Sequence, residues 1–323
     1  MTPTTQTTTP TLLAKSPAQL TGKPMTAPAP TAASTAFVQK AKPVTARTPR
    51  TLADTNADYV KILLFGATGT GKTKAIADLL ELGHTILAVS CDIGGEGFTS
   101  VRQWLKKRGK EELLKNCFYF ELPTYQDVED FCSNPKGFWP DIYNHDIDTL
   151  VLDGYSTFQI CHVQDMALEM DGGRNSVEAR TAGLRAETTD WGVIKNASVK
   201  NLNKFLLLRN ETTGKTWHKL ITCLEQEKEV TKGSDAKIIA PMLQGAAAKL
   251  LEPCFDLIMR TSKAVKTGEG GKKEVQYFYE LDGTSNKIVT KSRGLEFEPK
   301  EPGDMTKIFT SICTQRGIPV GKR

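Results

Sequence analysis

The chain predicts an α/β fold: a mostly parallel sheet with helices on both faces and a C-terminal β-hairpin. Three observations lead there. From Tyr59 onward, aliphatic runs alternate with helix-like stretches, the order of repeated βαβ units. The runs are apolar at consecutive positions, as strands covered on both faces require. The first run also passes through a glycine turn into a helical pattern, the strand–loop–helix order of an anion-binding loop.

In chain order, "YVKILLFG" (59–66) is the first predicted strand, followed by a helix over about 71–82. "HTILAVSC" (84–91) is the second strand and "TSVRQWLKKRG" (99–109) a helix. "CFYFEL" (117–122) is a third strand, "YQDVEDFC" (125–132) a short helix, and "IDTLVLDG" (147–154) a fourth strand. Residues 157–170 and 190–209 read as helices, and "HKLITCLEQ" (218–226) as one strand. "CFDLIMRT" (254–261) follows, then "VQYFYEL" (275–281) and "KIVTKSR" (287–293) as a strand pair turning at Asp282–Gly283. A terminal helix is predicted over about 303–316. The organisation expected is an arm (1–55), a folded domain (56–298) and a C-terminal tail with a short helix (299–323).

The arm is rich in Thr, Pro and Ala, with too little apolar surface to offset chain entropy, and is expected to be disordered. Residues 1–53 hold Lys15, Lys23, Lys40, Lys42, Arg47 and Arg50 and no acid, so the net charge of +5 belongs to the arm. The remainder carries 36 basic and 37 acidic residues, and any nucleic-acid binding by it must come from local patches. No apolar run approaches the ~18 residues of a membrane span, so no membrane partner is expected. Seven cysteines are scattered singly without a CxxC pair, which predicts buried free thiols and a cytoplasmic location.

Gly66-Ala67-Thr68-Gly69-Thr70-Gly71-Lys72-Thr73 satisfies GxxxxGK[ST] at every required position. Its glycines admit the torsions and close approach that a bound phosphate needs. Backbone N–H groups and the helix N-terminus then point at the β-phosphate, and Lys72 reaches the β- and γ-phosphates. The Thr73 hydroxyl suits Mg2+, so the expected cofactors are ATP and Mg2+. A second metal-holding group is expected at the end of a buried strand, and Asp153 in "TLVLDG" fits. Hydrolysis needs a group that orients water. Asp92, closing the second strand in "AVSCDIGGEG", takes that role if the second strand lies beside the first, with Glu96 as the alternative.

These pieces in this order resemble the RecA-like P-loop ATPases, and more narrowly the phage-encoded RecA-like ATPases of single-strand annealing and recombination (AAA-domain phage nucleotide-binding proteins). The resemblance spans about residues 57–298. The phosphate loop, "SCDIGGEGFTSVR", "LVLDGYST" and "TDWGVIK…LITCLEQEKEV…PMLQGAAAKLLEPCFDLIMR" carry it. It implies a RecA-like core, DNA-dependent ATP hydrolysis, and a homo-oligomer, either filament or ring. It also implies single-stranded DNA and a single-strand binding protein as partners, in the host cytoplasm. Gln226 would sense the γ-phosphate, and Lys291 and Arg293 in "VTKSRG" would reach the nucleotide of the next protomer. DNA-facing loops would span about 171–189, with Arg174, Arg180 and Arg185, and 227–241, with Lys228, Lys232 and Lys237. Two positions depart from the family. Asp92 stands where Glu is expected, which implies slow turnover. Gly154 follows Asp153 in place of a hydroxyl residue, which removes a polar contact to the metal shell. Two other classes fit the same loop: a nucleotide-gated scaffold with little hydrolysis, and a P-loop kinase or nucleotide transferase.

Overall fold

The computed structural model describes residues 58–92, 96–159, 188–230, 235–243, 247–267, 273–281 and 288–320. The arm, nearly all of the helix expected over 157–170, the Asp282–Gly283 turn, Cys161, Arg174, Arg180, Arg185 and Lys232 lie outside them. The strands are β1 (Lys61–Phe65), β2 (Ile86–Ser90), β3 (Cys117–Glu121), β4 (Thr149–Asp153), β5 (His218–Cys223), β6 (Glu225–Glu229), β7 (Lys237–Pro241), β8 (Leu257–Thr267), β9 (Lys273–Glu280), β10 (Lys291–Ser292) and β11 (Lys300–Pro302). The helices are α1 (Lys74–Glu81), α2 (Glu96–Lys107), α3 (Tyr125–Ser133), α4 (Pro135–Phe138), α5 (Tyr155–Thr157), α6 (Thr188–Leu207), α7 (Ala247–Leu251) and α8 (Met305–Arg316).

Nine of these strands make one sheet in the order β11-β9-β8-β1-β5-β4-β2-β3, with β10 also paired to β8. The run from β8 to β3 is parallel throughout. Pairs β8–β9, β9–β11 and β8–β10 are antiparallel. The consecutive apolar positions now have their reason. Leu63 and Phe65 of β1 enter one core with α3, α6 and α7, while Ile62 and Leu64 enter the other with α1, α2 and α8. β2 divides the same way, Leu87 and Val89 against Ile86 and Ala88. A strand between two helical layers needs an apolar side chain at every position.

Local chemistry sets the helix ends. Thr124 and Asp127 form a capping box that starts α3. Asp304 caps α8, which ends at Gly317 in the left-handed region (φ 66°). Met305, Ile308, Phe309, Ile312 and Cys313 of α8 are buried beside α1.

Three expectations need correction. β2 does not lie beside β1: β5 and β8 flank β1, and β2 sits between β4 and β3. "HKLITCLEQ" is not one strand, because the chain leaves the sheet after Cys223 and Glu225–Glu229 pairs with β7 in a separate two-stranded sheet. "VQYFYEL" does not pair with "KIVTKSR". The former pairs with β8, and the latter contributes a parallel bridge from Ile288 to Ile239 and then β10 against β8. β8 is long enough to build the terminal hairpin with β9, so the hairpin comes one strand earlier than read. Among the described residues six cysteines are free: Cys91, Cys132, Cys223 and Cys313 are buried, and Cys117 and Cys254 are half-buried. Burial pushes the thiols of Cys117, Cys132 and Cys223 up to about 12, which keeps them protonated. Among the described residues no helix is long and apolar enough to cross a membrane.

Candidate nucleotide site

The phosphate loop leaves β1 at Phe65 and is held from behind by β8. A Cβ on Gly66 would stand 2.2 Å from Thr261 Oγ1 and 2.6 Å from the Thr261 carbonyl oxygen. Glycine is therefore required by close approach at this position. Gly71 is required by its torsion, φ 94°. Thr70 Oγ1 donates to Ala67 O at 2.7 Å and lies 2.6 Å from Thr261 Oγ1, which pins the loop to β8. Lys72 Nζ donates to Gly66 O and Ala67 O, both at 2.9 Å. An ammonium has three donors, so one N–H is left for an anion in the loop. Burial pushes the Lys72 pKa down, and Asp153 opposes that most among the nearby charges.

Asp153 ends β4, is 5 % exposed, and faces the loop with Oδ2 3.4 Å from Thr73 Oγ1. Its Oδ1 accepts a hydrogen bond from Thr222 Oγ1 on β5. Thr222 Oγ1 in turn accepts from Gly154 N at 3.0 Å. Burial raises the Asp153 pKa, Asp92 raises it further, and the Thr222 bond and Lys72 charge pull it back. A hydroxyl and a carboxylate oxygen at this spacing suit Mg2+, which takes one or two protein oxygens and completes its shell with phosphate and water. The cradle is tight as well, since a Cβ on Gly97 would stand 3.1 Å from Asp153 Oδ2.

Asp92 follows β2 and lies beside Gly154, the residue after Asp153. A Cβ on Gly154 would stand 2.5 Å from Asp92 Oδ1. Glycine is required here by its torsion, φ 84°, and a Cβ would also have to push the Asp92 carboxylate aside. The β2–β4 register explains the meeting, because Ser90 pairs with Asp153 and Asp92 is two residues further on. The neighbouring strand differs from the one expected, yet Asp92 still reaches the cleft.

The cleft holds about 550 Å3, and Thr68, Gly69, Lys72, Asp92, Asp153 and Thr222 are among its lining residues. Two aromatic rings also line it: Trp104 of α2 and Tyr277 of β9 meet edge to face, ring centroids 6.3 Å apart. Lys74 and Arg108 lie 5.0 and 4.8 Å from the Trp104 ring centroid, as cation–π partners. Both cations also hold the buried Asp78 of α1, Lys74 at 2.5 Å and Arg108 at 3.6 Å. Asp78 Oδ2 further accepts from Met305 N at 3.0 Å, and Lys74 Nζ donates to Gly303 O at 2.8 Å. The helix that follows the phosphate loop is therefore tied to the start of α8.

The fold brings together Gly66–Thr73, Asp92 and Asp153. It does not bring Gln226, Lys291 or Arg293 to this cleft. Gln226 Nε2 donates to Pro241 O at 2.8 Å and Leu243 O at 3.2 Å, bracing β6 on the end of β7. Lys291 Nζ donates to Glu252 O and Pro253 O, and Arg293 Nη2 to Pro253 O at 2.6 Å, so both cover the turn after α7. The side chain of Glu96 lies outside the described residues, although Glu96 opens α2. Lys237 pairs with Glu227 at 3.1 Å, and burial lowers the pKa of Lys228. Sequence reading missed Thr222 and Thr261. Thr222 carried a signal, a hydroxyl residue next to last in the strand that follows the helical stretch 190–209; Thr261 follows the apolar run Leu257–Met259 in mid-strand and carried none. Thr222 supplies Asp153 with the polar partner that Gly154 lacks.

A family description named AAA domain matches residues 58–294. No curated protein matches the chain.

Proposed function

The chain belongs to the AAA domain family of P-loop proteins, and from that premise we propose that it binds and hydrolyses ATP in the cleft beside β1, β4 and β2. One observation carries this reading: Thr73 Oγ1 and Asp153 Oδ2 stand 3.4 Å apart at the mouth of a complete phosphate loop, with Asp92 beside them. Thr73 and Asp153 would hold Mg2+, whose chemistry is to offset charge on the β- and γ-phosphates. The loop N–H groups and Lys72 bind and orient the phosphates, and Trp104 and Tyr277 supply the apolar part of the cleft lining beside the loop. Asp92 orients the attacking water and accepts its proton.

We further propose that the activity serves single-stranded DNA in recombination or annealing, in a homo-oligomer with filament or ring geometry. This part rests on the resemblance to RecA-like ATPases. The same resemblance motivates Gln226 as a sensor, Lys291 and Arg293 as groups offered to a neighbouring protomer, and a single-strand binding protein as partner. The test is ATP turnover with and without single-stranded DNA, together with DNA retention on a filter at low salt. Stimulated turnover and salt-sensitive retention are expected. Turnover indifferent to DNA, with no retention, would remove the DNA role and leave the ATPase.

A further inference from the structure

The β8–β9 hairpin runs alongside the phosphate loop and carries a cation to it. Side chains alternate along a strand, so Thr261 and Lys263 share one face of β8, with cross-strand partners Tyr279 and Tyr277 on the same face of β9. Thr261 is built into the back of the loop, as described above. The next pair continues along the loop. Tyr277 Cδ1 is 3.0 Å from the point that a Cβ on Gly71 would occupy, and Lys263 Nζ is 3.5 Å from that of Gly69. Lys263 is exposed, and among the described residues no hydrogen bond or ion pair engages its ammonium. Of the neighbouring cations, Lys74 is held by Asp78 and Arg260 by Glu225 and Glu280, while Lys72 spends two of its three N–H groups on Gly66 O and Ala67 O and keeps one for the loop.

We propose that Lys263 is a catalytic cation supplied by the same chain, binding the terminal phosphate of the nucleotide held in the loop. The inference rests on the reading of the cleft as an ATP site. In the step it serves, a water oxygen forms a bond to the γ-phosphorus, and the bond from that phosphorus to the β,γ-bridging oxygen breaks. ADP leaves with the electron pair, and the water proton passes to Asp92. Negative charge grows on the bridging oxygen and spreads over the γ-phosphoryl oxygens, and a cation at the Gly69 arc offsets it. The register fixes where the side chain starts and on which face: Lys263 is paired with Tyr277, and Tyr277 packs on Gly71. Charge in the transition state then comes from within the protomer, independently of anything Lys291 and Arg293 do for a neighbour.

The test uses the full chain with Lys263→Met and Lys263→Arg, measuring affinity for ADP, affinity for a non-hydrolysable ATP analogue, and turnover. Lys263→Met is expected to keep ADP affinity within about twofold, to lose about tenfold in analogue affinity, and to lose about 100-fold in turnover. ADP affinity also reports that the variant is folded. Lys263→Arg is expected to recover most of both losses. Mixing Lys263→Met with Lys72→Ala chains is expected to restore nothing, because each site needs its own Lys263. Turnover restored by mixing would mean that the cation acts between protomers and would overturn the assignment. Unchanged analogue-over-ADP preference and turnover in Lys263→Met would overturn it while leaving the ATP site intact. A wild type that binds neither nucleotide would sink the ATP site itself, and the inference with it.

Discussion

Replacing Thr222 with valine removes one hydroxyl and almost no volume, and it isolates what holds the Asp153 carboxylate. The hydroxyl is 1 % exposed at the residue level and has two partners: it donates to Asp153 Oδ1 and accepts from Gly154 N at 3.0 Å. Valine takes this partner away from both groups. A hydrogen bond to a charged group contributes about 1.5–3 kcal/mol, and an orphaned buried donor costs about 1–3 kcal/mol. The two losses share one hydroxyl and overlap, so a destabilisation of about 2–4 kcal/mol is expected. Asp153 keeps its approach to Thr73 at 3.4 Å but loses the bond that fixes its rotamer. The Mg2+-dependent part of nucleotide affinity is then expected to fall about tenfold, the equivalent of about 1.4 kcal/mol. Urea unfolding and nucleotide titration with and without Mg2+ measure the two effects, and Thr222→Ser is the control that restores the hydroxyl. A valine variant as stable as wild type, with undiminished Mg2+ dependence, would refute the role assigned to Thr222.

Three other perturbations read different parts of the molecule. Gly66→Ala forces a Cβ to within 2.6 Å of the Thr261 backbone oxygen; a loss of about 1–3 kcal/mol in thermal stability and a collapse of nucleotide affinity are expected, and normal affinity would mean that the loop is not clamped by β8. Asp92→Asn is expected to lower turnover about 100-fold with nucleotide affinity unchanged; full turnover would transfer the water-positioning role to another group such as Glu96. His84 and His218 are buried, and burial pushes them down to about 4 and about 3. The folded chain keeps both neutral while the unfolded chain gains protons below about 6.5, so their contribution is complete above that pH and is lost as pH falls. By pH 5 the loss is about 2 kcal/mol for each histidine, visible as a lower urea midpoint; a midpoint constant from pH 7 to 5 would contradict it.

Much of this architecture was legible because local pattern and tertiary role agree. The aliphatic strands are buried on both faces, so their composition announces them, and GATGTGKT is constrained at each glycine by torsion or contact. Asp153 was legible for a related reason: an acid closing an aliphatic strand has little structural use unless something polar faces it. The errors came where non-local pairing decides. β2 was placed beside β1 because consecutive strands often neighbour, but here β4 and β5 separate them in the sheet. The pairing of "VQYFYEL" was misread because β8 continues to Thr267 through lysines and small residues that carry no hydrophobic signal. Thr222, Thr261, Tyr277 and Lys263 come from strands more than a hundred residues after the loop, and only the sheet order brings them to it.

The most direct measurement of the central claim is calorimetric titration of the full chain with Mg2+ and a non-hydrolysable ATP analogue, beside Lys72→Ala. Saturable one-site binding by the wild type, weakened at least about 100-fold in Lys72→Ala, is the expected result. Equal affinity in the two proteins, or no binding by the wild type, would contradict the assignment of Gly66–Thr73 as a nucleotide phosphate site.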